Sequence, residues 1–302
     1  MTAPPIPVGI RLPHVAAPFE PGDLVTIART AVELGYRSVW VGDHLLMPAS
    51  SSSVYPHTAD GHRPFGADTP YLDPLLALSW LSVQVPEARI GTSVIIMTLR
   101  RAALLAKQIA TASWLTRKPL AVGIGSGWSR EEYDAVGVRF EKRAARARAD
   151  LAEIRELISR GSRRYQVRGD DDELVDQEFH MRPTAPAPVE FLWGGVSPLA
   201  IRLVASSCEG WLPAKQSLES LENGVRGLRA ACDDVARDFD ELRLVVKPGP
   251  GPDPRSGAID KDNLAAYAEL GFHEAVLELS HTDDGLPAAL ATIERVATRA
   301  WG

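Results

Sequence analysis

RIGTSVIIMTLRRAALLAKQIATASWLTRKPLAVGIG, residues 89–125, is the stretch that decides the fold. Arg89–Ile96 closes on Val94-Ile95-Ile96, an apolar run without polar alternation, as a strand covered on both faces requires. Arg101–Leu115 carries apolar residues at helical spacing. Leu120–Gly125 is a second apolar run, ending on glycine. Strand, helix and strand in succession imply two parallel strands joined by a crossover helix.

The same rhythm extends both ways. Upstream lie strand Val8–Leu12, helix Asp23–Leu34 with Gly35 as its stop, and strand Ser38–Val41. Asp73–Val85 is a helix with Asp73 as N-cap and Pro74 at its first position. Downstream come helices Ser129–Val136 and Lys142–Ile158, strand Val189–Trp193, helix Pro198–Ser206, strand Gly210–Leu212 and helix Leu218–Phe239. Strand Leu242–Lys247, a helix near Lys261–Leu270, strand Ala275–Leu279 and helix Leu286–Ala300 complete the series. Eight strand–helix units predict a closed (β/α)₈ TIM barrel rather than an open sheet. Two long polar stretches interrupt it, at about 45–72 and 161–188, and both read as irregular insertions. No linker divides the chain, so one domain is expected over residues 1–302.

Composition narrows the function. The net charge of −6 gives no basic face for nucleic acid. No apolar stretch approaches the roughly 20 residues of a membrane helix. No secretory signal is visible, which predicts a cytoplasmic protein. Cys208 and Cys232 lack metal-site spacing, and no metal centre is expected.

In this fold the site forms where strands end, so the residues directly after each apolar run carry the argument. Gly42-Asp43-His44 closes strand two. An imidazole at a barrel mouth is suited to general acid or base work. Asp43 either orients that ring or caps the next segment, with His44 then filling a polar rim. Gly123-Ile124-Gly125-Ser126-Gly127-Trp128 follows strand four. Glycines there allow close approach of a planar cofactor, or simply make a tight turn. A dinucleotide fingerprint fails on spacing, because Trp128 and Arg130 stand where glycine is needed. Trp193-Gly194-Gly195-Val196-Ser197-Pro198 joins strand five to its helix. Ser197 and Pro198 suit a helix start whose open N–H groups attract an anion, or cap an ordinary junction. Trp211, in Cys208–Pro213, reads as core packing.

Taken in order, these segments resemble the luciferase-like monooxygenase family. The resemblance is carried by Glu33–His44, Arg89–Val94, Leu105–Gln108, and Val122–Trp128 with Glu132 and Gly137. Gly194-Gly195 with Ser197-Pro198, and Gly210-Trp211, complete it. It covers residues 8 to 213 well and the remainder only in rhythm. It implies a barrel binding coenzyme F420, or alternatively FMN, at the strand ends, and a hydride transferred between the deazaflavin and a small organic substrate. The compact length and the Asp-His pair resemble the F420 group, whose sugar-phosphate dehydrogenases use this histidine. The resemblance further implies a bulge at Ser93-Val94 in strand three, often with a non-proline cis peptide, behind the cofactor ring.

The residues expected in the site are therefore His44 and Asp43 for catalysis and His14 and Trp128 for substrate. Ser93, Val94, Gly125, Ser126, Gly127, Trp193, Gly194, Gly195, Val196 and Ser197 are expected to hold the cofactor. Residues 45–72 would act as a lid. Three departures stand out. Trp128 follows the turn where the sugar-phosphate dehydrogenases carry Glu, Arg117-Lys118 replaces the usual Gly-Arg, and Ala149 replaces an acidic residue. The rival readings are an FMN-dependent monooxygenase served by a separate flavin reductase, and a non-catalytic flavin-binding protein. A homodimer is also implied.

Overall fold

The computed structural model describes residues 4–13, 19–58, 60–169, 171–249, 259–279 and 285–301. Four strands come first: β1 (Val8–Arg11), β2 (Ser38–Val41), β3 (Arg89–Ile96) and β4 (Leu120–Gly125). A pair, β5 (Ser162–Arg168) and β6 (Leu174–His180), stands apart. Then come β7 (Val189–Trp193), β8 (Gly210–Trp211), β9 (Arg243–Val246) and β10 (Glu274–Glu278). Except for β5 and β6, these strands close into a parallel barrel in the order β1-β10-β9-β8-β7-β4-β3-β2. The helices are α1 (Pro21–Glu33), α2 (Pro74–Gln84), α3 (Ala102–Thr116), α4 (Arg130–Ala135) and α5 (Arg143–Arg160). They continue with α6 (Pro198–Ser207), α7 (Leu218–Asp234), α8 (Lys261–Glu269) and α9 (Gly285–Trp301). The chain is thus a (β/α)₈ barrel, as the alternation predicts. Among the described residues, no helix is long and apolar enough to cross a membrane.

Two elements differ from expectation. Residues 161–188 are not irregular throughout. β5 and β6 form an antiparallel hairpin registered from Ser162↔His180 to Arg168↔Leu174. Alternation places Tyr165 and Val167 on one face with Val175 and Phe179, and the Tyr165 and Phe179 rings meet edge-on at 5.7 Å. The strands are joined by a turn at Asp171-Asp172, across which Gly169 N–H donates to Glu173 O. Helix α7 stops at Asp234 rather than Phe239. Acidic side chains at a helix C-terminus oppose its dipole, and Asp238 instead caps a short 3₁₀ turn at Phe239–Glu241.

The end of the barrel where strands begin is sealed by a polar plug. Glu274, from the start of β10, accepts from Ser38 Oγ, from Trp40 Nε1 (3.2 Å) and from Arg243 Nη2 (2.6 Å). Arg243 Nη1 also donates to Glu190 at 2.5 Å. The Trp40 ring lies across Gly91, where a Cβ would come within 2.5 Å of it. With this end filled, open space is left at the other, where the strands finish.

Candidate active site

That space is a cavity of about 400 Å³. It gathers His44, Asp43, Ser93, Val94, Gly125, Ser126, Gly127, Trp128, Trp193, Gly194, Gly195, Val196 and Ser197 on one wall system. His14 lies outside the described residues.

One wall is backbone and small side chains. In β3 the pairing to β4 jumps from Thr92↔Val122 to Ile95↔Ile124, so two residues of β3 oppose one of β4. This bulge is Ser93-Val94, and its peptide bond is cis. Val94 projects between two glycines. A Cβ on Gly125 or Gly194 would stand 3.0 or 3.1 Å from its methyl groups. The β4 turn is fixed by the Tyr133 hydroxyl, which donates to Ser126 O (2.7 Å), and by Arg143 Nε, which donates to Gly127 O (3.3 Å). Beyond β7, a Cβ on Gly195 would fall 2.6 Å from Trp193 Nε1. That indole nitrogen is buried and has no hydrogen-bond partner among the described residues. Ser197 Oγ caps α6 by accepting from Ala200 N (3.2 Å), so the positive end of the helix dipole meets the cavity.

The wall that carries His44 departs from expectation. Asp43 does not orient His44. Its buried carboxylate accepts both arms of the Arg100 guanidinium, at 2.5 and 2.9 Å, and the N–H of Ile96 at 2.9 Å. The partner of His44 is Glu132, in the first turn of α4. Its Oε2 lies 2.9 Å from His44 Nδ1. Its Oε1 accepts the N–H groups of Leu45 (2.7 Å) and Leu46 (3.4 Å). The Glu132 side chain is 1% exposed and that of His44 10%. A carboxylate is an acceptor only, so opposite it the ring presents N–H at Nδ1 and leaves Nε2 for a reactant.

Residues 45–58 and 60–72 cover this wall. Tyr71 meets the His44 ring edge-on at 4.8 Å and Trp128 meets it at 5.9 Å, while Tyr55 packs on Trp128 at 5.2 Å. The segment is pinned at Ser52 and Ser53. Ser52 N–H donates to the Glu131 carboxylate at 2.7 Å, and so does Ser53 Oγ. Burial disfavours the charged form of Glu131. The hydrogen bonds from Ser53, Ser52, Ser129 and backbone N–H groups outweigh it and hold the carboxyl well below its ordinary range.

The opposite side of the cavity is charged. Arg11 Nη1 donates to Glu278 Oε1 at 2.6 Å, and Lys215 Nζ and Lys247 Nζ each stand 3.6 Å from Glu278 Oε2. Three cations thus face one carboxylate. Burial lowers Lys247 to about 8, with Arg11 and Lys215 adding to the effect against Glu278. Overhead, burial and then Lys247 and Lys215 lower His57 to about 4, so its ring is neutral at neutral pH. Burial, reinforced by Glu278, raises Tyr55 to about 12.

Comparison with known proteins identifies the family. The family model described as luciferase-like monooxygenase matches residues 6–296. The chain belongs to that family. It is 33% identical over 298 residues to an F420-dependent glucose-6-phosphate dehydrogenase of Amycolatopsis mediterranei (strain U-32), covering 93% of this chain and 78% of that protein. Among solved structures it is similar to an F420-dependent secondary alcohol dehydrogenase in complex with an F420-acetone adduct. There the TM-score is 0.69 at 13% identity, over 97% of this chain and 99% of that one. It is also similar to the oxygenating constituent of 3,6-diketocamphane monooxygenase from Pseudomonas putida in complex with FMN. That likeness has a TM-score of 0.68 at 13% identity, over 98% of each chain. At such identities the structural likeness concerns the fold.

In this luciferase-like barrel, sequence reasoning misses Glu132 as the partner of His44, and Arg11, Lys215, Lys247, Glu278, Tyr55, His57 and Tyr71 as cavity residues. Four of these were within reach. Arg11, Lys247 and Glu278 lie at the ends of apolar runs, and Lys215 follows Leu212 closely, where the strand-end rule applies. Tyr55, His57 and Tyr71 carry no pattern beyond their place in a long polar segment.

Proposed function

We propose that this protein is an F420-dependent oxidoreductase that moves a hydride between the deazaflavin C5 and a small organic substrate. The observation that carries the reading is that a glycine-flanked bulge and a carboxylate-held imidazole face one cavity. The site suits a flat cofactor. Val94 between Gly125 and Gly194 offers a surface no larger side chains intrude on, and the unpartnered Trp193 N–H offers a donor. Gly194–Ser197 and the start of α6 would take an anionic part of the cofactor. A bound deazaflavin supplies two-electron hydride chemistry. His44 gives or takes the accompanying proton at Nε2, with Glu132 fixing its tautomer and pose. The lid excludes water.

The charged half of the cavity favours a substrate bearing an anionic group, held by Lys215, Lys247 and Arg11. The relative from Amycolatopsis is named for a sugar phosphate, a substrate of that kind. The rival FMN-dependent monooxygenase with a partner reductase differs in which ring it binds. Titration with F420 and with FMN, followed by cofactor absorbance, separates the two. Tight F420 binding with no FMN binding is expected, and the reverse rejects the F420 reading. His44→Ala should cut turnover of bound F420 far more than F420 affinity, and unchanged turnover removes His44 from the mechanism.

We also place the chain in the cytoplasm as one barrel domain that pairs with a second copy. Leu76, Trp80 and Val83 are exposed on α2, a helix without any charged residue, and Leu104 and Leu115 are exposed on α3, which packs beside it. Light scattering of the purified protein tests the dimer, and a monomer at micromolar concentration rejects it.

A further inference from the structure

Arg100 does not line the cavity, yet it holds two of its walls. It follows the 3₁₀ turn Met97–Leu99 that leaves β3, and its side chain is only 6% exposed. Its guanidinium forks onto Asp43, with Nη1 on Oδ2 and Nη2 on Oδ1. Asp43 immediately precedes His44 in the chain. The same Asp43 Oδ2 accepts the N–H of Ile96, two residues beyond Val94. Nη2 also stands 3.5 Å from Asp73 Oδ2, while Asp73 Oδ1 caps α2 through Leu75 and Leu76 N–H. One guanidinium therefore ties together the exit of β2, the exit of β3 and the start of α2.

We propose that Arg100 is a positioning residue: through Asp43 it fixes the spacing between the Val94 wall and the His44 ring. This rests on the reading of the cavity as a flat-ring cofactor site. A planar ring seated on Val94 and reacting toward His44 needs those two groups at a constant separation, and each is one or two residues from an atom that the Arg100–Asp43 pair holds. The fork matters as much as the charge. A lysine in the same place makes point contacts and cannot bind both carboxylate oxygens in one plane.

The test uses R100K and the double variant R100M/D43N, the latter so that no buried charge is left alone. Each is compared with wild type by thermal unfolding, by fluorescence titration with F420, and by the visible absorption band of bound F420. Titrations are run well below the unfolding transition. A pair that only stabilised the fold would lower the melting temperature and leave the affinity of the folded protein unchanged. A positioning pair weakens F420 binding on the order of tenfold in fully folded protein and shifts the bound band, with R100K lying between wild type and the double variant. Wild-type affinity and an unshifted band in R100M/D43N overturn the proposal. Should that variant not fold, R100K decides alone, and wild-type affinity in it overturns the role of the fork. If wild type takes FMN in place of F420, the same titrations are run with FMN. If wild type binds neither, the reading of the cavity fails, and the role of Arg100 with it.

Discussion

Replacing Glu132 with glutamine tests the heart of the site at nearly constant volume. Glu132 accepts three hydrogen bonds, from the ring of His44 and from the N–H groups of Leu45 and Leu46. Glutamine has one acceptor oxygen and one donor nitrogen. If its oxygen keeps the two backbone N–H groups, its NH₂ must face His44 Nδ1, which then has to present a lone pair. The ring proton moves to Nε2, the nitrogen left for the reactant, and the neutral imidazole can no longer accept a proton there. Where a carboxylate sets a catalytic histidine's tautomer, changing it to an amide costs about 10⁴-fold in turnover. Loss of the charge-assisted bonds to backbone should cost about 1–3 kcal/mol of stability. The assay is single-turnover reduction of bound F420, with glucose 6-phosphate and simple secondary alcohols as first probes, alongside an F420 titration. A fall in rate of at least about 10²-fold with cofactor affinity preserved is expected. An E132Q protein that turns over at the wild-type rate refutes the tautomer argument, and one that loses F420 binding instead shows that Glu132 serves the cofactor.

Trp193→Phe removes the unpartnered indole N–H while keeping the ring, and should weaken cofactor binding by about 0.5–1.5 kcal/mol with an unchanged melting temperature; unchanged affinity means the donor is not used. Lys247, at about 8 in the folded protein against an ordinary 10.5, loses its charge as pH rises through 8. For an anionic substrate, kcat/KM should therefore fall above pH 8, and K247M should flatten that limb. The unfolded chain holds this proton up to about 10.5, so the Lys247 contribution to stability rises between pH 8 and 10.5. Glu274→Gln at the barrel plug should cost about 1.5–3 kcal/mol by replacing a charge-assisted bond to Arg243, which keeps Glu190 as its partner, with cofactor affinity intact in the folded protein.

The barrel was legible because each strand's apolar run and each helix's spacing report burial directly. The cavity was legible as a set of strand ends. What could not be read was the pairing of side chains across the mouth. Glu132 lies 88 positions from His44, and nothing local to either marks the contact. Asp43 attracted the role by adjacency, yet neighbours leaving an extended strand point to opposite sides. Asp43 accordingly turns to Arg100 while His44 turns to Glu132. The hairpin at 162–180 was hidden for a different reason. β6 is exposed along its whole length, so its alternation marks pairing with β5 and not a buried face.

A ring of strands must somewhere join the two ends of its own sequence, and here that junction is β1 against β10. It is fastened twice. On the outside, Trp301 packs edge-on against Tyr36 at 5.1 Å and its indole N–H bonds Leu34 O at 2.9 Å, which straps α9 to the turn after α1. On the inside, a contact that spans it is Arg11 to Glu278, on the charged side of the cavity. Loosening the last turn of α9 would accordingly be felt in the cavity, because the seam between the first and last strands of the barrel forms one of its sides.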